Sequence, residues 1–206
     1  MMLIHFIRHA ESASNLTGTV TSKMPGTGLS ALGREQADKL AVHLNLSEQD
    51  VVVSSPLRRA VETAERLVAK RGCQRIVLEE LREFEVGELE GHTDQQARER
   101  LWAAWPTWLD SGQLDHRPAE GSESGREALA RFRTSLAVVG QLGLERAYVV
   151  SHGTLLQLCL THDCVNVPTA DTEDRWIPNT AVVTAVYDGT VLMCRQWDTM
   201  TFGASV

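Results

Sequence analysis

LIHFIRHAES (residues 3–12) sets a short, mainly apolar run directly before an Arg-His pair. A run of that length fits a strand buried on both faces, the kind found in parallel sheets flanked by helices. In open α/β sheets the carboxyl ends of the strands gather the ligand sites. Arg8 and His9 stand at such an end.

Outward from this strand, helix and strand alternate. Residues 30–44 place apolar side chains at helical spacing behind Ser30, a natural N-cap. Val51 to Val53 make a second strand. Ser55 is predicted to cap the next helix, with Pro56 as its first residue and Gly72 as its stop. Ile76 to Leu78 form a third strand. A helix over 124–142 leads to a strand at 147–151, a helix at 154–162, and two strands, 181–187 and 190–197, around the hairpin signal Asp188-Gly189. The pattern predicts an α/β fold, a three-layer sandwich: a mostly parallel central sheet with an antiparallel edge and helices on both faces.

Residues 84–124 break this rhythm. Thr93 and Gln96 read as a capping box for a helix near 93–104, and Trp102, Trp105 and Trp108 recur every three residues. Such spacing is read first as packing; the alternative is an aromatic wall beside a ligand. The segment from about 92 to 124 is taken as a helical insertion over the site, within one domain spanning 1–206.

Composition narrows the function classes. With 20 basic and 27 acidic residues the chain carries a net charge of −7, so it has no overall attraction to nucleic acid or anionic membranes. No stretch approaches the ~18 apolar residues of a membrane span. The four cysteines lack CxxC spacing and no export signal is read, so reduced thiols in a cytoplasmic protein are expected. Cys159, His162, Asp163 and Cys164 match no common zinc spacing.

Three predicted strand ends carry chemistry. Arg8 and His9 follow the first strand, Arg59 lies in the first turns of the helix after the second, and Ser151, His152 and Gly153 form the turn after the fourth. An Arg at a helix start opposes the helix dipole, which makes sense where an anion binds both. Gly153 permits close backbone approach to a ligand. Thr154 begins a helix, where its hydroxyl or amide reaches a phosphate or serves only as a helix start. Two guanidiniums and two imidazoles match a phosphoryl group: Arg contacts its oxygens, and a neutral imidazole attacks phosphorus. Such a site also needs an acid for the leaving oxygen. Glu83, in LREFEVGELEG (81–91), is the first candidate among several carboxylates.

RHAES (8–12) resembles the opening motif of the histidine phosphatase superfamily, which includes the cofactor-dependent phosphoglycerate mutases. Asn15 stands where that family has a substrate-contacting Asn. LSALGREQA (29–37), SSPLRRAVETA (54–64), LREFEVGELEG (81–91), VSHG (150–153) and IPNTAVVTAVYDG (177–189) resemble its later signatures, in order. The resemblance implies that His9 is the nucleophile, that Arg8, Arg59 and His152 hold the phosphate, and that Glu83 is the acid. It implies no metal and no cofactor. Physically, His9 must be neutral to attack, and Glu83 must hold a proton, so its pKa is predicted to be raised by burial beside Phe84.

LTGTVTSKMPGTG (16–28) lacks the Gly-Trp and acidic pattern of the glycolytic mutases, and Leu89 replaces a tryptophan common in the small phosphatases. The expectation is therefore a phosphomonoesterase acting on a small phosphate ester such as a sugar phosphate or nucleotide. A phosphoglycerate-type mutase and an inactive phospho-ligand scaffold are the alternatives. The edge hairpin and the tail 198–206 leave a homodimer open.

Overall fold

The first strand is the centre of the sheet. A computed structural model describes residues 1–44, 46–69, 71–169, 175–198 and 200–201. The strands are β1 (Met2–Arg8), β2 (Val51–Ser54), β3 (Gln74–Val77), β4 (Arg146–Ser151), β5 (Val182–Tyr187), β6 (Leu192–Trp197) and the two-residue β7 (Met200–Thr201). Their spatial order is β3-β2-β4-β1-β5-β6-β7. The pairs β3·β2, β2·β4 and β4·β1 are parallel; β5, β6 and β7 add the antiparallel edge.

The helices are α1 (Ala13–Thr17), α2 (Ala31–His43), α3 (Arg58–Ala69), α4 (Gln95–Trp102), α5 (Ala104–Leu109), α6 (Gly125–Gly140) and α7 (Gly153–Asp163). Side chains alternate across β1 with period two. Ile4 and Phe6 join the core under α6 and α7, where the rings of Phe6 and Phe132 lie 5.8 Å apart. Ile7, with Val52, Tyr148 and Val150 from neighbouring strands, packs against Ala41 of α2 and Ala60, Ala64 and Leu67 of α3. The sheet is thus covered on both faces, as its apolar strands require.

Several boundaries differ from the sequence reading. Helix α3 begins at Arg58 rather than Pro56: the Ala60 and Val61 amides both donate to the Leu57 carbonyl, and Arg58 N donates to Pro25 O at 2.8 Å. Ser55 therefore stands outside the helix, and its hydroxyl accepts from Leu57 N at 3.2 Å. Asp94, not Thr93, caps α4, accepting from Ala97 N at 2.9 Å. The continuous helix expected to 104 breaks at Ala103 and restarts as α5, with Pro106 in its first turn, where a missing N–H costs little. The β5–β6 connection is a four-residue turn rather than a two-residue one. Asp188 Oδ1 accepts from the amides of Thr190 and Val191 at 2.8 and 2.7 Å. Of the tail offered as a dimer surface, 199 and 202–206 lie outside the described residues. No helix among the described residues is long and apolar enough to cross a membrane.

Candidate active site

Sheet register brings the two histidines together. In the parallel β1·β4 pair Arg8 faces Ser151, so His9 and His152 each stand one residue beyond the same edge. His9 N donates to Ser151 O at 2.9 Å. The imidazole centroids lie 5.1 Å apart with planes at 60°. Ser54 pairs with Val150, which carries Ser55 to the same edge.

Arg59, in the first turn of α3, spans both rings. Its Nε lies 3.0 Å from His9 Nε2 and 3.2 Å from His152 Nδ1. Because a guanidinium only donates, both ring nitrogens are acceptors, and this assigns the tautomers. His9 then donates from Nδ1 to Ala10 O at 2.7 Å, and His152 donates from Nε2 to Ser55 Oγ at 2.8 Å. Both rings are buried, and burial first, Arg59 next, holds their pKa well below the usual imidazole value. Both are neutral at neutral pH.

Arg8 Nη1 donates to Ile177 O at 2.8 Å, and its guanidinium lies 4.8 Å from the ring centre of Trp176. Burial, followed by Arg59, lowers its pKa to about 10, which leaves it charged at neutral pH. Among the described residues neither Arg8 nor Arg59 is ion-paired, and Arg8 Nε and Arg59 Nη1 are buried donors without a protein partner. Buried donors of this kind are rare in folded proteins and are expected where a ligand completes the bonding.

Glu83 is half-buried at the same cleft. Its Oε1 accepts from Phe84 N and from Leu155 N in the first turn of α7, both at 3.0 Å. Oε2 is left to carry a proton. Burial raises the pKa against the lowering effect of Arg59 and of these hydrogen bonds. The direction is the one expected from the sequence.

These groups line one cleft of about 260 Å³. Arg8, His9, Arg59, Glu83, Asn15, Gly153 and Thr154 all reach its wall, whereas His152 is fully buried behind His9 and Arg59. Asn15 also closes a capping box with Ser12, so its side-chain oxygen is occupied and only its amide nitrogen is offered to a ligand. Among the described residues no three His, Cys, Asp or Glu side chains are grouped to hold a metal ion.

A sequence profile described as the histidine phosphatase superfamily (branch 1) matches residues 4–199. The chain belongs to this superfamily. A Hydrogenobacter thermophilus protein provisionally named phosphoserine phosphatase 2 is 33% identical over 162 residues, 78% of each chain. An Escherichia coli protein provisionally named phosphoglycerate mutase GpmB is 28% identical over 205 residues, covering 98% of this chain and 93% of that one. The structure of mycobacterial glucosyl-3-phosphoglycerate phosphatase Rv2419c with VO3 superposes with a TM-score of 0.81 at 24% identity, over 97% of this chain and all of that one. That last likeness is one of fold.

This histidine phosphatase cleft also draws on residues that sequence reading missed. Ser55 Oγ accepts from His152 Nε2 at 2.8 Å. Asn179 Nδ2 donates to His9 O at 2.9 Å and to Asn15 Oδ1 at 3.3 Å. Arg131 Nη1 donates to the carbonyls of Glu80 and Arg82, both at 2.6 Å, while its other nitrogens grip Glu123 at 2.7 and 2.8 Å. Glu123 in turn bonds the backbone of Glu85 on both sides, which completes a frame around the loop that carries Glu83. Trp176, Arg98 and Trp102 form the outer wall. Trp102 had a sequence signal in its three-residue spacing from Trp105.

Proposed function

We propose that the chain is a phosphomonoesterase that hydrolyses a small-molecule phosphate ester, such as a sugar phosphate, a nucleotide or a related metabolite, through a phosphohistidine on His9. The observation that carries this reading is the single Arg59 Nε between His9 Nε2 and His152 Nδ1. It marks both rings as neutral and orients a lone pair of His9 toward the guanidinium that would hold the phosphate.

Arg8 and Arg59 bind the phosphoryl oxygens, and an anion that draws the Arg59 N–H groups onto itself frees the His9 lone pair. His9 Nε2 attacks phosphorus, the bond to the ester oxygen breaks, and Glu83 Oε2 gives its proton to the departing alkoxide. Water then attacks phosphorus and Glu83 takes a proton from it. The P–N bond breaks, returning neutral His9 and inorganic phosphate. Fixed cations facing the equatorial oxygens supply most of the stabilisation. His152 holds Arg59 in place from behind and adds its own dipole. Asn15, Gly153 and Thr154 contact the phosphate from the cleft wall.

The reading uses no metal and no nucleic acid. It treats 1–206 as one cytoplasmic domain with 92–124 as its cap, and leaves homodimerisation to be measured by sedimentation. The mutase reading differs only in the acceptor, a second substrate hydroxyl in place of water. The test is phosphate release over a panel of phosphate esters, with and without chelator. Release is expected to survive the chelator and to vanish in His9→Ala. Exchange of phosphoryl between substrate positions without free phosphate would select the mutase, and no turnover of any ester would select the scaffold.

A further inference from the structure

Trp102 and Trp176 are the only large aromatic side chains exposed among the described residues, at 61% and 48%. They come from opposite parts of the chain, α4 and the segment before β5, and both line the cleft that holds Arg8 and His9. With Trp105 and Gln157 they also line an adjoining pocket of about 360 Å³. The two spaces share both indoles, so the second opens from the mouth of the first.

Solvent-facing indoles gathered at one place mark a binding surface more often than chance exposure. The walls of this pocket are apolar in character. Trp105 spends its one donor on Gln157 Oε1 at 3.0 Å. Among the described residues no charged side chain lines it. The remaining cation of the outer cleft, Arg98, turns instead to the backbone carbonyls of Thr93 and Gly18. A leaving group that ends in a carboxylate finds no charge partner among the tryptophans, whereas a flat apolar ring finds stacking faces. Trp176 also packs over the Arg8 guanidinium, which ties the ring-binding wall to the phosphate-binding cation.

We infer that the alcohol side of the substrate carries a planar apolar ring, seated in the pocket of Trp102, Trp105 and Trp176 while its phosphate meets Arg8 and Arg59. The inference rests on the phosphomonoesterase reading above.

The test compares 2-phenylethyl phosphate with propyl phosphate, two esters whose leaving alcohols have similar basicity. One stacking contact predicts a kcat/KM ratio of about ten in favour of the phenyl ester in the wild type. Trp102→Ala and Trp176→Ala are each expected to bring that ratio close to one. Because the readout is a ratio within each variant, a general loss of activity cancels. As a check that needs no variant, 2-phenylethylphosphonate is expected to inhibit the wild type about tenfold more tightly than propylphosphonate. A wild-type ratio near one, equal inhibition by the two phosphonates, or a preference that persists in both variants overturns the inference. If neither ester is cleaved but phosphoserine or 3-phosphoglycerate is, the ring subsite falls and the phosphatase reading stands. If no phosphate ester is cleaved, the phosphatase reading itself falls, and the subsite with it.

Discussion

A Cβ on Gly153 would lie 3.0 Å from both Cδ and Nε of Arg8 and 3.2 Å from its Cζ. The arginine lies across the bare backbone at the start of α7, and this close approach sets where its guanidinium stands in the cleft. Gly153→Ala is therefore expected to lower kcat/KM about tenfold by displacing one bidentate anion contact. Gly153 is the first residue of α7, where the interior helix-propensity gain of alanine does not apply, so the melting temperature is expected to change little. Steady-state kinetics with a thermal melt separates the two effects. Glu83 makes a second prediction at this scale. Its carboxyl is protonated to higher pH than an ordinary glutamate because burial outweighs Arg59 and two backbone donors. Hydrolysis of alkyl esters should then decline as pH rises through that raised pKa. Glu83→Gln is expected to cut kcat by about 100- to 10,000-fold and to remove the alkaline limb. A pH–rate profile of the variant parallel to wild type would reject Glu83 as the acid.

Glu83 sits on a loop without regular structure, and neighbouring elements keep that loop in place. Arg131 of α6 is 10% exposed and its partner Glu123 8%; together they bond the backbone at Glu80, Arg82 and Glu85. Removing one member of a buried pair leaves the other uncompensated, so Arg131→Met is expected to destabilise the fold by about 3 kcal/mol. Arg131 also lowers the Glu83 pKa from a distance. Its loss should move the alkaline limb to higher pH while kcat falls, an effect that lost packing alone does not produce. This layer of the structure was largely hidden in the sequence. Strand positions were legible because LIHFI, VVV and AYVVS are apolar runs whose burial depends on composition alone, and the ends of those strands pointed to His9, Arg59 and His152. Ser55 looked like a helix cap because the sequence does not show that Leu57 O is the first helical acceptor. Asn179 and Trp176 reach the cleft from more than half the chain away; Asn179 lies in the quoted segment 177–189 but nothing there gives it a role, and nothing local marks Trp176. Trp102 follows the packing period of Trp105 and Trp108, yet the helix breaks at Ala103 and only Trp108 is fully buried.

At the scale of the whole molecule, the site contributes to how stability depends on pH, alongside His5 and His162, whose pKa burial also lowers. His9 and His152 are buried and neutral, with pKa values below the ordinary imidazole value of about 6.5 that the unfolded chain would show. Below about pH 6.5 the unfolded state takes up protons that the folded state refuses. The stabilisation these rings carry is thus complete above that value and is lost as pH falls toward their folded pKa, by up to about 1.4 kcal/mol per pH unit for each ring. Glu83 has the opposite sign: its raised pKa stabilises the fold below the ordinary glutamate range and stops doing so as pH rises through the folded value. Between pH 7 and 5 the two rings outweigh the one carboxyl, since they contribute two protons to its one and begin to titrate in the unfolded chain at higher pH. The melting temperature is therefore expected to fall from pH 7 to pH 5. In a His9→Asn/His152→Asn variant, whatever its stability at pH 7, that slope should flatten. A variant that loses stability with acid as steeply as the wild type would show that the acid sensitivity arises elsewhere, and that the two imidazoles are not held neutral in the folded protein.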